Sequence, residues 1–370
     1  MGQPARQPSD PTTRIHRGQA YDRAVSAPIE SMRSLPKVLL HDHLDGDLRP
    51  QTLLELLRER GLEAPAHDAV GLEAWFRERA HAGSLTEYLK GFALTVAAMA
   101  SPAAMQRVAF EAAEDALADG SVLAEFRIAP LLFESHGVSG DAAVEALLAG
   151  LSQSCLPSGL IVCAMRHLPP EETKRAARLA LRYQGQGVVG FDLAGAELGH
   201  PPSEHAAALT LVRDAGLPLT LHAGEADEAK RVVEAGRLGA RRIGHGVRLV
   251  DALGVPGGDE LLGAVGEMGL HLEVCPTSNV HTGAAASIAT HPITALWRAG
   301  VSLSYHTDNR LMSCITHASE AAALLEHTTL TQADLLRMGI EAARHSFLDA
   351  AARAQAEATL RAYLQALDTV

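Results

Sequence analysis

Apolar residues along this chain follow two alternating rhythms. Long stretches carry Leu, Val and Ala at helical spacing, as in Arg49–Gly61 and the acidic, alanine-rich segment near 103–119. Between such stretches, short β-rich runs recur at Val38–His43, Val122–Ala129, Leu160–Arg166, Val188–Leu193, Leu217–Ala223, Arg242–His245, Leu270–Cys275 and Val301–His306. Most follow a Gly or Pro break, with enough chain between them for a helix. Eight β-then-α units predict a closed parallel (β/α)8 barrel rather than an open sheet. The long stretch between the first and second runs reads as several helices, including Arg49–Gly61 and Ser84–Ala98. It is expected to be a helical insertion at the barrel mouth. One barrel domain is assigned to 31–370. Residues 1–30, rich in Pro, Gln, Arg, Ser and Thr, are assigned to a flexible extension.

Composition narrows the partners. Aromatic residues make up only 4% of the chain, so Ala, Leu, Val and Ile must fill the core. A net charge of −12 without a long basic run argues against a nucleic-acid partner. The four cysteines show no CxxC spacing, which fits neither a zinc ribbon nor a disulfide framework and makes the cytoplasm the default location. The first thirty residues hold no apolar run of the signal-peptide kind, and no stretch is apolar enough for a membrane span. A monomer or homodimer acting on a small molecule is expected.

In such a barrel, chemistry gathers at the C-terminal ends of the strands. His41 and His43 end the first strand. Residues two apart on a strand share a face, so both imidazoles can aim into the mouth with Asp42 turned away. The fifth strand ends in LHAGE, giving His222 and Glu225; the sixth ends in IGHG, giving His245 between two glycines; the eighth ends in HTDN, giving Asp308. Each has a plain structural explanation alone: a rim histidine, a turn, a helix cap. Together they supply what a mononuclear catalytic zinc requires, with His41, His43, His222 and Asp308 as ligands. One zinc ion there would lower the pKa of bound water toward neutrality. His245 would take or hold the proton of that water. Glu225 would protonate a ring nitrogen of an amidine-like carbon, from which ammonia leaves. A carboxyl donor must carry its proton at working pH, so an apolar or substrate-covered surrounding is expected for Glu225.

The stretches LPKVLLHDHLDG, FDLAGAE, LHAGE, IGHG, CPTSN and TDN occur in that order. The chain resembles the adenosine deaminases of the metal-dependent amidohydrolase superfamily, the bacterial branch especially, over about residues 34–365. The resemblance implies the same four zinc ligands, with Glu225 donating to purine N1 and His245 beside the attacking water. It also implies that Gly195 faces purine N3, Asp45 holds the ribose 5′-hydroxyl and Asn309 contacts N7. Tyr88 and Leu89 would close over the sugar, and Ser278 would be structural. Four positions near the pocket depart from the family pattern: Asn309 for a second Asp, Ala196 for an acid, His306 for Asn and Ala129 for Ser. The fourth strand offers no lysine for a two-metal centre, and the His/Cys/Cys site of cytidine-type deaminases is missing. The expected reaction is hydrolytic deamination of adenosine or 2′-deoxyadenosine. Deamination of a modified 6-aminopurine nucleoside is the alternative within the class, and a silent nucleoside-binding barrel the alternative outside it.

Overall fold

The computed structural model describes residues 29–80 and 85–367, with 85–90 as backbone alone. Eight strands form one sheet in chain order: β1 (Lys37–Leu39), β2 (Ser121–Ile128), β3 (Ser158–Met165), β4 (Val188–Ala194), β5 (Leu219–Ala223), β6 (Ala240–His245), β7 (His271–Val274) and β8 (Leu303–Tyr305). Every neighbouring pair is parallel, and helices fill the connections. Beyond β1 and β8 the chain closes the ring through backbone bonds. His43 N–H donates to Asp308 O at 2.8 Å, and Asp308 N–H to His41 O at 3.0 Å. The (β/α)8 expectation is met.

All eight expected strands occur, with ends displaced by up to four residues. The largest change is in β1, which stops at Leu39 instead of running to His43. The chain after it pairs only through single bridges, Asp42 with Asp308 and His43 with Arg127. The insertion holds helices Pro50–Glu59, Ala69–Ala80 and Leu85–Met99. The middle one has only Leu72, Phe76 and Ala80 buried, a sparse apolar face that leaves a weak signal in sequence. The expected extension over 1–30 lies outside the described residues except for its last two. Among the described residues, no helix is long and apolar enough to cross a membrane.

The core is aliphatic, as the low aromatic content requires. Charged side chains also lie inside the barrel: Glu125 and Arg127 on β2, Asp192 on β4, Arg242 on β6 and Glu273 on β7 are fully buried. Burying such groups is costly unless they pair, and here they do. Arg127 reaches Asp192 at 2.9 Å and Glu273 at 2.6 Å, while Arg242 reaches Glu125 and Glu273, each at 2.6 Å.

Candidate active site

At the C-terminal rim, β1, β5, β6 and β8 bring their polar ends to one point. Single donor atoms of His41, His222, His245 and Asp308 all lie within 4.8 Å of one another, and all four residues are buried. His43 joins through its Nε2, 3.4 Å from the same Asp308 oxygen that His41 Nε2 approaches at 3.3 Å. The ring centroid of His43 stands 5.3 Å from that of His41 and 5.4 Å from that of His222. His245 and Asp308 hold left-handed backbone, with φ of 64° and 62°. Residues without a glycine's freedom rarely adopt it, and such strain gathers at functional sites. Gly244 has a packing reason: a Cβ there would stand 2.9 Å from His41 and 3.2 Å from His222. A side chain at 244 would push the rings apart.

The buried charges explain how two of these rings are oriented. His41 Nδ1 lies 2.9 Å from Glu273 and His222 Nδ1 3.0 Å from Asp192. Burial opposes charge on both carboxylates. His222 and Arg127 nevertheless hold Asp192 far below the usual range, and Arg127 and Arg242 do the same for Glu273. Each carboxylate therefore accepts an Nδ1–H, which turns a bare Nε2 lone pair toward the cluster. For His41 that Nε2 is buried with no hydrogen-bond partner among the described residues. Ser278 donates to Asp308 Oδ2 at 2.6 Å and leaves Oδ1 toward the rings, in keeping with the supporting role expected of it. A bare imidazole nitrogen, further imidazoles and an anionic oxygen around one point suit a borderline cation such as zinc. The residues fit the metal.

The cluster forms the floor of a cavity of about 390 Å³. Its lining includes Asp45, Gly195, Glu225 and Asn309, so four further expected residues stand around one space. Glu225 Oε1 accepts from Thr282 at 2.8 Å and Asn279 at 3.1 Å, while Oε2 lies 3.6 Å from His245 Nε2. Burial pushes His245 down to about 4, so its ring is neutral at neutral pH. Burial pushes Asp45 up to about 7, and its Oδ1 has no partner among the described residues. Gly195 needs its glycine, with φ of 91° and a Cβ position 2.8 Å from His167. Tyr88 and Leu89 fall on Leu85–Met99, but their side chains lie outside the described residues. Of the four departures, Ala129, Ala196 and Asn309 line the cavity. His306 does not: its Nδ1 accepts from Leu40 N–H, just past the end of β1.

Asp192, Glu273, Arg127, Asn279 and Glu197 were not singled out from sequence. Glu197 Oε2 accepts the backbone N–H groups of Glu225, Ala226 and Asp227 at 2.8–3.1 Å and fixes the loop that carries Glu225. For Arg127, Asp192 and Glu273 a signal existed: a charge inside an otherwise apolar strand must find a buried partner.

A barrel with a histidine–aspartate centre at its C-terminal rim, facing a cavity with a carboxyl side chain, defines a hydrolase of the amidohydrolase kind. Comparison with known proteins narrows this. The chain belongs to the adenosine deaminase family, whose profile matches residues 36–362. An adenosine deaminase of Mycobacterium marinum is 44% identical over 336 residues, which is 86% of this chain and 92% of that protein. Among solved structures, an Arabidopsis N6-mAMP deaminase is 26% identical with a TM-score of 0.78, covering 90% of this chain and 99% of that one. A Burkholderia ambifaria amidohydrolase with bound zinc shares the fold at 23% identity and a TM-score of 0.80, covering 92% and 93%. The protein is thus a hydrolytic deaminase acting on C–N bonds of adenosine-like substrates.

Proposed function

We propose that the protein converts adenosine and 2′-deoxyadenosine to inosine and 2′-deoxyinosine with release of ammonia, using one zinc ion held by His41, His43, His222 and Asp308. The observation that carries this reading is the cavity floor, where bare imidazole nitrogens and one carboxylate converge beneath Glu225 and His245. Zinc in that position supplies electrophilic activation of water. The chain's own groups do the rest. Neutral His245 holds the water in line with the reacting carbon. Glu225, kept in place by Asn279 and Thr282, gives its proton to purine N1 and so draws electron density from the carbon under attack. Backbone N–H of Gly195 and the Asn309 amide hold N3 and N7. Asp45, near the midpoint of its titration at neutral pH, exchanges a hydrogen bond with the 5′-hydroxyl.

A modified 6-aminopurine nucleoside is the second reading, favoured by Ala129 and Ala196, two small apolar residues of the cavity lining where the family pattern has polar ones. The two separate in a nucleoside panel followed by the ultraviolet change on deamination, with zinc stoichiometry measured on the same preparation. Turnover of adenosine and 2′-deoxyadenosine at about one zinc per chain is expected. Inactivity on both, with turnover of a 5′-substituted analogue, reverses the order. A chain without zinc overturns the metal assignment.

A further inference from the structure

The short helix Pro276–His281 after β7 delivers Asn279 to the point where the two acid–base side chains meet. Its amide nitrogen lies 3.1 Å from Glu225 Oε1 and 3.1 Å from His245 Nδ1. We propose that Asn279 is a positioning residue that holds His245 in the Nε2–H tautomer, so that the imidazole presents a donor and not a lone pair to the cavity floor. This rests on the reading of His245 and Glu225 as the groups facing the reacting carbon.

The orientation of the amide follows from its other side. Ile293 N–H donates to His291 Nδ1 at 3.0 Å, which leaves the ring proton of neutral His291 on Nε2. Burial keeps that ring neutral, pushed down to about 3. His291 Nε2 stands 3.3 Å from Asn279 Oδ1, so the oxygen accepts and the NH2 group faces Glu225 and His245. Turning the amide over would set two donors against each other at His291. It would also set two acceptors against each other at Glu225. Buried polar groups do not tolerate such pairings. His245 Nδ1 therefore accepts, which leaves that nitrogen bare and places the ring proton on Nε2. In that tautomer His245 cannot take a proton from the nucleophile at Nε2; it orients the nucleophile by donating to its oxygen. Of the two roles expected for His245, taking the proton or holding it, the relay selects holding.

Asn279→Asp keeps the shape of the side chain but replaces the donor with an acceptor, which moves the ring proton to Nδ1. Asn279→Ala removes the donor and imposes no tautomer. A packing role makes the isosteric variant the milder of the two; a tautomer-setting role makes it the more severe. We expect Asn279→Asp to lower kcat by at least about 30-fold, below Asn279→Ala, with KM within about threefold and zinc retained. A smaller loss, a loss carried by KM, or Asn279→Ala as the worse enzyme overturns the proposal. The zinc-loaded wild-type protein tests it without any folded Asn279 variant: nitrogen-15 NMR of the ring, assigned by its disappearance in His245→Gln, should show Nδ1 bare and Nε2 protonated. A protonated Nδ1 sinks the assignment. Failure of the wider reading shows separately, as near-normal turnover by Glu225→Gln with the wild-type ring spectrum unchanged.

Discussion

Two of the cavities among the described residues arrange their charged groups in opposite ways. The larger, about 570 Å³, lies beside the barrel, between the start of the described chain, helix Pro50–Glu59 and the turn after β8. Its charges meet one another: Arg310 holds Asp42 at 2.7 Å and Asp47 at 3.2 Å, and Arg49 holds Asp115 at 2.6 Å. The smaller cavity, about 390 Å³ at the strand ends, keeps acceptors without a partner among the described residues: Asp45 Oδ1, Glu197 Oε1 and Asn309 Oδ1, above the bare Nε2 of His41. A buried polar atom left without a partner costs free energy that a ligand can return. The larger cavity also carries Arg310 Nε and His317 Nδ1 without a partner among the described residues, but the unpartnered side-chain oxygens line the smaller one, so volume alone points to the wrong cavity.

The largest effect expected from this contrast is at Glu225. Glu225→Gln keeps the size of the side chain and its acceptor for Thr282 but has no acidic proton to give. Turnover should fall by about 10²–10⁴-fold while zinc content stays near that of the parent. Near-normal rate with zinc in place would remove Glu225 from its assigned role.

The next effect lies beneath the smaller cavity. Arg127 is the fork between Asp192 and Glu273, the carboxylates that orient His222 and His41. Arg127→Met leaves buried Asp192 without its guanidinium and Glu273 with Arg242 alone. Loss of one partner from such a group typically costs about 3–5 kcal/mol, to be read from urea unfolding. Zinc affinity, measured by chelator competition, should weaken about 10–100-fold as the rings lose their fixed orientation. Zinc binding equal to the parent's would show that the rings are set by packing alone.

These two predictions also mark what the sequence could and could not deliver. Histidines just after β1 and at the ends of β5 and β6, and an aspartate after β8, were legible, because a barrel rule says where chemistry lies and each motif carries its own short pattern. Strand ends were less so. At β1 the run Val38–His43 looked continuous, yet the ladder stops at Leu39, since His41–His43 turn to bond with the chain after β8. Charges such as Arg127 and Glu273 could be flagged as inward-facing, but sequence does not say which carboxylate meets which guanidinium across the barrel. Asn279 was further out of reach. Its role depends on a relay through His291 and Ile293, residues whose individual patterns suggest nothing.

A third effect separates the wall behind the smaller cavity from its interior. Glu320 is buried and receives the backbone N–H of Thr277 at 2.8 Å and its hydroxyl at 2.5 Å, securing the short helix that carries Ser278 and Asn279. Burial pushes its carboxyl up from 4.5 to about 7. A raised folded-state value means that the native chain binds the extra proton between those limits. Its stabilising contribution is therefore full below about pH 4.5 and is lost as pH rises through 7, a loss of about 3 kcal/mol. Glu320→Gln keeps a donor and an acceptor without the titration. The stability difference between parent and variant, followed by urea unfolding from pH 5 to pH 8, should move by about that amount in favour of the variant. A difference that stays flat with pH would mean that Glu320 is charged throughout.

The smallest effect belongs to the larger cavity. Arg49 pairs there with Asp115 through two hydrogen bonds, of 2.6 and 2.8 Å, and its side chain is 44% exposed. Water already solvates both charges, so their mutual attraction adds little beyond what each has alone. Arg49→Met should change unfolding free energy by less than about 1 kcal/mol and leave zinc affinity and turnover unchanged. The contrast with Arg127 is the point of the measurement. The two arginines each span carboxylate partners at similar distances, and burial and the histidines behind those partners set them apart. Should Arg49→Met impair turnover as deeply as Arg127→Met, paired charge in the larger cavity would prove to be coupled to the chemistry. Unmet acceptors would then no longer distinguish the site.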